Sequence, residues 1–383
     1  MEVKTMNKSF IFILIIFMIL SLVTGCGSYK EIEQLSPVAG IAIDKSPIGY
    51  KLTVEIIDVD ESNKEPKFVS LKLSTEGKSI FDCIRNMINL TAKKLYFGHT
   101  SVVIVSKDVA KDGIIPIIDF IFRDAEPRIN MYMVVSDEYT ANEILHLKSV
   151  STDIRSFEID TMIVSNDQLS KVPNTSVYQL ANHIGTPGLY PVIPTVSMEV
   201  NEGLETIVLS GGAIFKQDTL EGFLGLDDIK CLRFIRNEIK GGLFIFDISN
   251  TTISLEIFKN KTKVRPKIVN NQLVMEIKIK TIVSIGETNG QIDTLHENSI
   301  NRIKTIAETS LEDDILQFIK TIQTDYGLDI FGFGNIVKQR MPDLWKEIET
   351  NWDSIFKELD IDVDADIHIR GSGNLFKNIT EKQ

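Results

Sequence analysis

The chain has few of the residues on which catalysis and metal binding are usually built. Of 383 residues, three are cysteine, five histidine and two tryptophan. The histidines (His99, His146, His183, His296 and His368) stand apart, with no His-x-x-x-His or His-x-Glu spacing, so no zinc site is assembled. Cys83 and Cys231 sit in apolar stretches of helical period and fall in different halves of the chain. That placement favours buried small hydrophobes over a disulfide. No Gly-x-Ser-x-Gly elbow and no Walker loop is present, and the adjacent Asp313 and Asp314 point to different sides of a helix, a poor start for paired acid and base work. The expectation is a protein that is not an enzyme and holds no cofactor or metal. Positive charge is also short: 41 Lys and Arg against 53 Asp and Glu leave a net charge of −12. This excludes the basic footprint of a nucleic-acid binder and would repel an anionic membrane surface.

What is present begins with Cys26. Lys4 and Lys8 precede an apolar run from Phe10 to Val23, and Val23-Thr24-Gly25 leads directly into the thiol. That order is the layout of a secretory signal peptide, and its end resembles the lipobox of a bacterial lipoprotein. The run is shorter than the roughly 20 apolar residues needed to cross a bilayer, and polar Ser28, Tyr29, Lys30 and Glu31 follow it closely. Cleavage between Gly25 and Cys26, with lipid on the Cys26 sulfur and amine, is therefore expected. Two or more acyl chains exceed the one-chain threshold for marginal binding, so such attachment would be durable.

The remainder is too long for one ordinary core, and its 43% hydrophobic and 25% charged content is that of folded protein. The pattern predicts an α+β chain of two to three domains, with mixed and antiparallel sheets flanked by helices. Residues 1–25 read as leader and 26–36 as tether. Residues 37–198 read as an N-terminal α+β region that splits near 150 if it holds two subdomains, 199–205 as linker, 206–372 as a C-terminal α+β domain and 373–383 as tail. In the first region a hairpin turns at Ser46-Pro47-Ile48-Gly49, and strands then alternate with helices up to about residue 150, which points to a mixed sheet. From Ser151 the pattern weakens, and the prolines at 187, 191 and 194 exclude a regular helix there. In the second region 242–247, 252–259, 262–269 and 272–285 read as successive antiparallel strands. Two long helical patterns follow, the clearer having Leu311, Ile315, Phe318, Ile319 and Ile322 on one face.

Four local patterns invite a functional reading. His99 directly precedes a strand, and a turn-capping role is favoured over a catalytic one. Gly332-Phe333-Gly334 lacks the third glycine of a dinucleotide loop, because Val337 stands there. It reads as a tight turn between helices, with Phe331 and Phe333 in the core. Asp360, Asp362, Asp364 and Asp366 resemble the opening of an EF-hand, but Ala365 and Gly371 replace its glycine and glutamate, and the alternation is that of a strand with one solvated acidic face. Trp345 and Trp352, seven residues apart, would share one face of a single helix. They are expected to pack in the core, with a partner-docking surface as the sharper alternative.

Several blocks then resemble one family. After the lipobox come Glu31-Ile32-Glu33-Gln34-Leu35 and Gly40-Ile41-Ala42-Ile43-Asp44, then Leu95-Tyr96-Phe97-Gly98-His99-Thr100 running into Val102 to Ala110, and Ile118 to Asp124. In the second half stand Gly211-Gly212-Ala213-Ile214-Phe215-Lys216, Asp329-Ile330-Phe331-Gly332-Phe333-Gly334, Pro342-Asp343-Leu344-Trp345 and Asn351-Trp352. In this order they are similar to the Ger(x)C family, the lipoprotein C subunits of spore nutrient-germinant receptors. Gly27-Ser28 stands where the family usually has Trp-Asp. The resemblance implies a three-domain α+β protein on the outer face of the spore inner membrane, working with integral-membrane A and B type subunits and without enzymatic activity. A solute-binding lipoprotein that captures a nutrient directly is the competing reading, and such proteins have two similar lobes around a cleft.

Overall fold

The computed structural model describes residues 35–60, 67–248, 251–289 and 296–370, together with Ser9 and Phe12. Gly25, Cys26 and the tail 373–383 lie outside the described residues, so what is expected of them stays an expectation. The tether expected over 26–36 ends sooner, because Leu35 and Ser36 already belong to the first strand.

The N-terminal part is a run of strands and helices. β1 (Leu35–Ser46), β2 (Gly49–Asp60) and β3 (Lys67–Gly77) form an antiparallel meander, followed by α1 (Ile80–Asn86) and the short β4 (Lys94–Tyr96). Next come β5 (Val102–Val105), α2 (Lys107–Asp112), α3 (Ile115–Arg123), β6 (Tyr132–Ser136), α4 (Ala141–His146), α5 (Arg155–Ser165) and α6 (Val177–Ile184). β7 (Val192–Asn201), β8 (Leu204–Lys216) and β9 (Thr219–Leu224) complete a nine-stranded sheet in the order β3-β2-β1-β5-β6-β7-β8-β9, with β4 beside β1. Its centre, β1-β5-β6-β7, is parallel. Both faces of that centre are covered, which is why Val102-Val103-Ile104-Val105 is apolar without alternation. Val103, Val105, Met133 and Val135 pack under α1, α2, α3 and α6, whereas Val102, Ile104 and Val134 pack under α4 and α5.

The expected linker at 199–205 is a hairpin inside this sheet. β7 and β8 pair antiparallel down to Asn201 and Leu204, and only Glu202 and Gly203, both at positive φ, make the turn. The turn residues suggested a break, but the ladder runs straight through it. α5 and α6 also stand in the stretch where the pattern weakened. Each begins on a polar anchor that hydropathy does not register.

The chain then forms α7 (Leu226–Ile235), β10 (Leu243–Ile248), β11 (Thr251–Val269), β12 (Gln272–Asn289), α8 (Glu297–Thr321), α9 (Phe333–Arg340), α10 (Pro342–Ile348), α11 (Trp352–Lys357) and β13 (Asp360–Ile369). The stretches 252–259 and 262–269 are one strand, β11, that bends at register shifts near Ser254 and Ile257 without breaking. The second sheet runs β10-β11-β12-β13, with β13 parallel to β12. The helical face at Leu311, Ile315, Phe318 and Ile319 belongs to the 25-residue α8, which covers this sheet. Glu308 and Glu312 on α8 accept the Ile367 and Ala365 amides at 2.8 Å each, so this helix also caps part of the β13 edge.

Two helices of the first unit start on buried carboxylates from the strands. Asp44 at the end of β1 accepts the Ala141 and Asn142 amides of α4 at 2.6 and 3.0 Å. Glu55 on β2 accepts the Arg155 and Ser156 amides of α5 at 3.0 and 2.8 Å, and the Ser70 hydroxyl at 2.7 Å. Helix starts expose unpaired N–H groups and a positive dipole end, so a carboxylate satisfies both. Glu55→Ala would leave those donors buried and unpaired, and a loss of about 3 kcal/mol is expected in urea unfolding. Val59→Ser, exposed on the same strand, should change stability by less than about 0.5 kcal/mol.

Candidate functional site

Trp345 and Trp352 are each only 3% exposed, so the docking surface weighed for them is corrected to a core position. They do not share a helix either. A short 3-10 turn at Glu349–Asn351 separates α10 from α11, and the two rings meet at 5.4 Å between centroids. His99 is exposed in a 3-10 turn before β5, edge-on to Tyr96, as a turn residue would be. The acidic face of β13 lies beside lysines: Asp364 pairs with Lys278, and Asp366 with Lys280 and Lys304. Among the described residues no group of three or more His, Cys, Asp or Glu is placed to hold a metal ion.

Trp352 reaches a residue that no local pattern singles out. Asp329 is completely buried just before α9. Its Oδ1 accepts the amides of Phe331, Gly332 and Phe333 at 3.1, 2.9 and 3.1 Å, and its Oδ2 accepts Gly334 N–H at 2.7 Å and the Trp352 indole N–H at 3.1 Å. Burial pushes its carboxyl up to about 6, against the downward pull of those same donors. The readable signal was an Asp a few residues ahead of a glycine-bearing helix start.

This knot is where the two halves of the chain meet. The Asp329 carbonyl accepts Tyr190 N–H at 2.9 Å, and the Tyr190 hydroxyl donates to Asp353 at 2.8 Å. Burial, with Asp353 beside it, raises the Tyr190 phenol. Gly188 and Gly334 pass backbone to backbone: a Cβ on Gly334 would lie 2.7 Å from the Gly188 Cα and equally close to the Trp352 ring nitrogen. Arg236 donates to the Ile330 carbonyl at 3.0 Å from the same side, and burial lowers its pKa. The proline-spaced stretch 186–194 thus feeds through this knot into β7.

A second polar tie lies one turn back along the same C-terminal end of α7. The Arg233 guanidinium donates to Asp167 at 2.6 Å, to the Val172 carbonyl at 3.1 Å and to the Glu238 carbonyl at 2.9 Å. Burial is the largest influence on Asp167 and pushes it up, but Lys240, Arg233 and Asn174 together outweigh it and hold its pKa down. Both clusters bind one half of the protein to the other.

The fold and these polar ties define a two-part α+β protein. Comparison with known proteins then identifies the class. Residues 28–198 match the family model described as the spore germination protein N-terminal domain, and residues 210–373 match the spore germination B3/GerAC-like C-terminal model. The chain belongs to the Ger(x)C family of spore germination proteins. Spore germination protein B3 of Bacillus subtilis (strain 168) is 26% identical over 398 residues, covering 98% of this chain and 100% of that protein. Spore germination protein KC of the same strain is 24% identical over 393 residues, covering 94% and 96%. The crystal structure of the GerBC protein has the same fold, with a TM-score of 0.59 at 21% identity over 89% of this chain and 100% of that one. The boundary between the two family models, 198 to 210, falls on the β7–β8 hairpin, so one sheet serves both.

Two outcomes test the knot. Gly334→Ala should cost about 2 kcal/mol, because the methyl meets backbone that has no room to yield, and thermal melting reads the loss. Asp329 titrates higher folded than unfolded, so the folded state binds the extra proton between about pH 4 and 6. Its contribution is fully present below that window and falls as pH rises through it, by up to about 3 kcal/mol. Asp329→Asn should flatten this part of the stability profile even though it lowers stability throughout.

Proposed function

We propose that this protein is the lipid-anchored C subunit of a spore nutrient-germinant receptor, held on the outer face of the spore inner membrane by lipid on Cys26. In this reading it is needed for nutrient-triggered germination and acts through contacts with integral-membrane A and B type subunits. The observation that carries the proposal is the match of both family models in order, across residues 28–198 and 210–373. Relatives named for spore germination align over nearly their whole length.

Three further features support it. The apolar run before Cys26 is built for export, and no helix among the described residues is long and apolar enough to cross a membrane. A chain of net charge −12 has little general attraction for anionic lipid, so residence at the membrane is better served by a covalent anchor. The two sheets, nine-stranded and four-stranded, also differ in size and order. That favours a partner-binding body over the paired lobes of a solute-capturing lipoprotein.

In spores whose other nutrient receptors have been deleted, Cys26→Ala should move the protein out of the membrane fraction and abolish the fall in optical density that follows nutrient addition. A normal nutrient response after deletion of the whole gene in that background would sink the receptor reading, and unchanged membrane attachment of Cys26→Ala would sink the anchor.

A further inference from the structure

One edge of the N-terminal unit carries apolar side chains that its core does not use. Along α1 and the turn after it, Ile80, Cys83 and Met87 are buried, as an amphipathic element requires. Phe81, Ile88 and Leu90 point the other way and are 50, 62 and 54% exposed. Beside them lies a groove of about 870 Å³ floored by Ile84, Leu95 and Phe97. Its rim carries cations: Arg85 stands 4.8 Å over the Phe81 ring, Lys93 is exposed, and Lys94 is paired with Glu126. Asp124 and Glu126 form the opposite wall.

The position of this edge is set by the sheet. β4 forms the groove's margin and pairs in parallel with the start of β1, Leu35 opposite Lys94 and Ser36 opposite Leu95. The chain therefore enters the folded body at this rim. Nine peptide units separate Cys26 from Leu35, so whatever path they take they span at most about 30 Å. A body of this length is about 50 Å across. A lipid on Cys26 would therefore keep the entry edge within about 30 Å of the bilayer.

We propose that the Phe81–Lys94 edge rests on the bilayer surface itself, with Phe81, Ile88 and Leu90 entering the headgroup boundary and Arg85 and Lys93 meeting lipid phosphates. This rests on the reading of Cys26 as the lipid anchor. Exposed aromatic and aliphatic side chains with adjoining cations are the chemistry of an interfacial contact, and here they adjoin the strand at which the tether enters the body. Such a contact would orient the whole acidic body and present the rest of its surface to neighbours in the membrane.

The full lipidated chain, reconstituted into vesicles of equal phosphatidylglycerol and phosphatidylcholine without other proteins, provides the test. A bimane probe is placed on Ile88→Cys or, as a control, on Val200→Cys, which is 62% exposed at the tip of the β7–β8 hairpin at the far end of the sheet. Burial pushes the native thiols of Cys83 and Cys231 up to about 11 and about 12, so the probe goes to the introduced cysteine. Doxyl-labelled lipid should quench the probe at 88 several-fold more strongly than the probe at 200. Adding Phe81→Ser and Leu90→Ser should bring quenching at 88 down to the control level while the chain still floats with the vesicles. Equal quenching at both positions in a chain that floats overturns the docking edge and leaves the anchor standing. That result would assign the apolar edge to a protein partner. Failure to float overturns the anchor and the docking edge with it.

Discussion

The structure depends on one buried carboxylate, Asp329, meeting five N–H donors. An ionised group in a protein interior is tolerated only when its lone pairs are fully used, and Asp329 uses them on the four amides that open α9 and on one indole. Those amides belong to a chain that must turn sharply at Gly332, φ 81°, before the helix begins. The same turn presents Phe331 and Phe333 to the core and lays Gly334 against Gly188. Cap, aromatic cluster and junction between the halves are thus consequences of one local geometry.

The device recurs on a smaller scale. Asp44 and Glu55 reach from adjacent strands to the starts of α4 and α5, roughly 100 residues further along the chain. Each fixes a helix on the sheet by its end, where the dipole is strongest, while apolar packing fixes its face. An amphipathic face alone allows a helix to slide or rotate by a residue, and a carboxylate that accepts two successive amides does not. A modest net contribution from such a hydrogen bond is therefore compatible with a large role in register. Arg155 and Glu158 show the same economy, since Glu158 also accepts from the Val150 and Ser151 amides at 3.0 and 2.8 Å.

Most of the sheet was legible because its strands announce themselves by periodicity. Val102 to Val105 is a run covered on both faces, and β13 alternates Ile361, Val363, Ala365, Ile367 and Ile369 against aspartates. The helices over residues 155–184 were not legible. Their information sits in Glu55 and in capping residues such as Ser176, and a window of hydropathy does not weigh a partner a hundred residues away. Reading 199–205 as a linker failed for a related reason: polar turn residues look alike in a hairpin and in a linker, and only the pairing of Val200 with Glu205 distinguishes them. The tryptophan spacing was real, but its meaning changed. Seven residues implied one helix face, whereas Glu349–Asn351 resets the helix and brings the two rings together beside the Gly188–Gly334 contact.

The hairpin at 198–210 bears on whether one half of the body can turn on the other. A hinge placed there would have to break an antiparallel ladder of ten residues on β7, together with the β8–β9 pairing that continues it. It would also have to pull Tyr190 from Asp353, Gly188 from Gly334 and Arg233 from Asp167, each partly or wholly removed from water. Opening so many contacts together costs far more than a switch of a few kcal/mol allows. The two matched domains are accordingly fused at their boundary, and the body is built to move as a whole rather than by one half turning on the other.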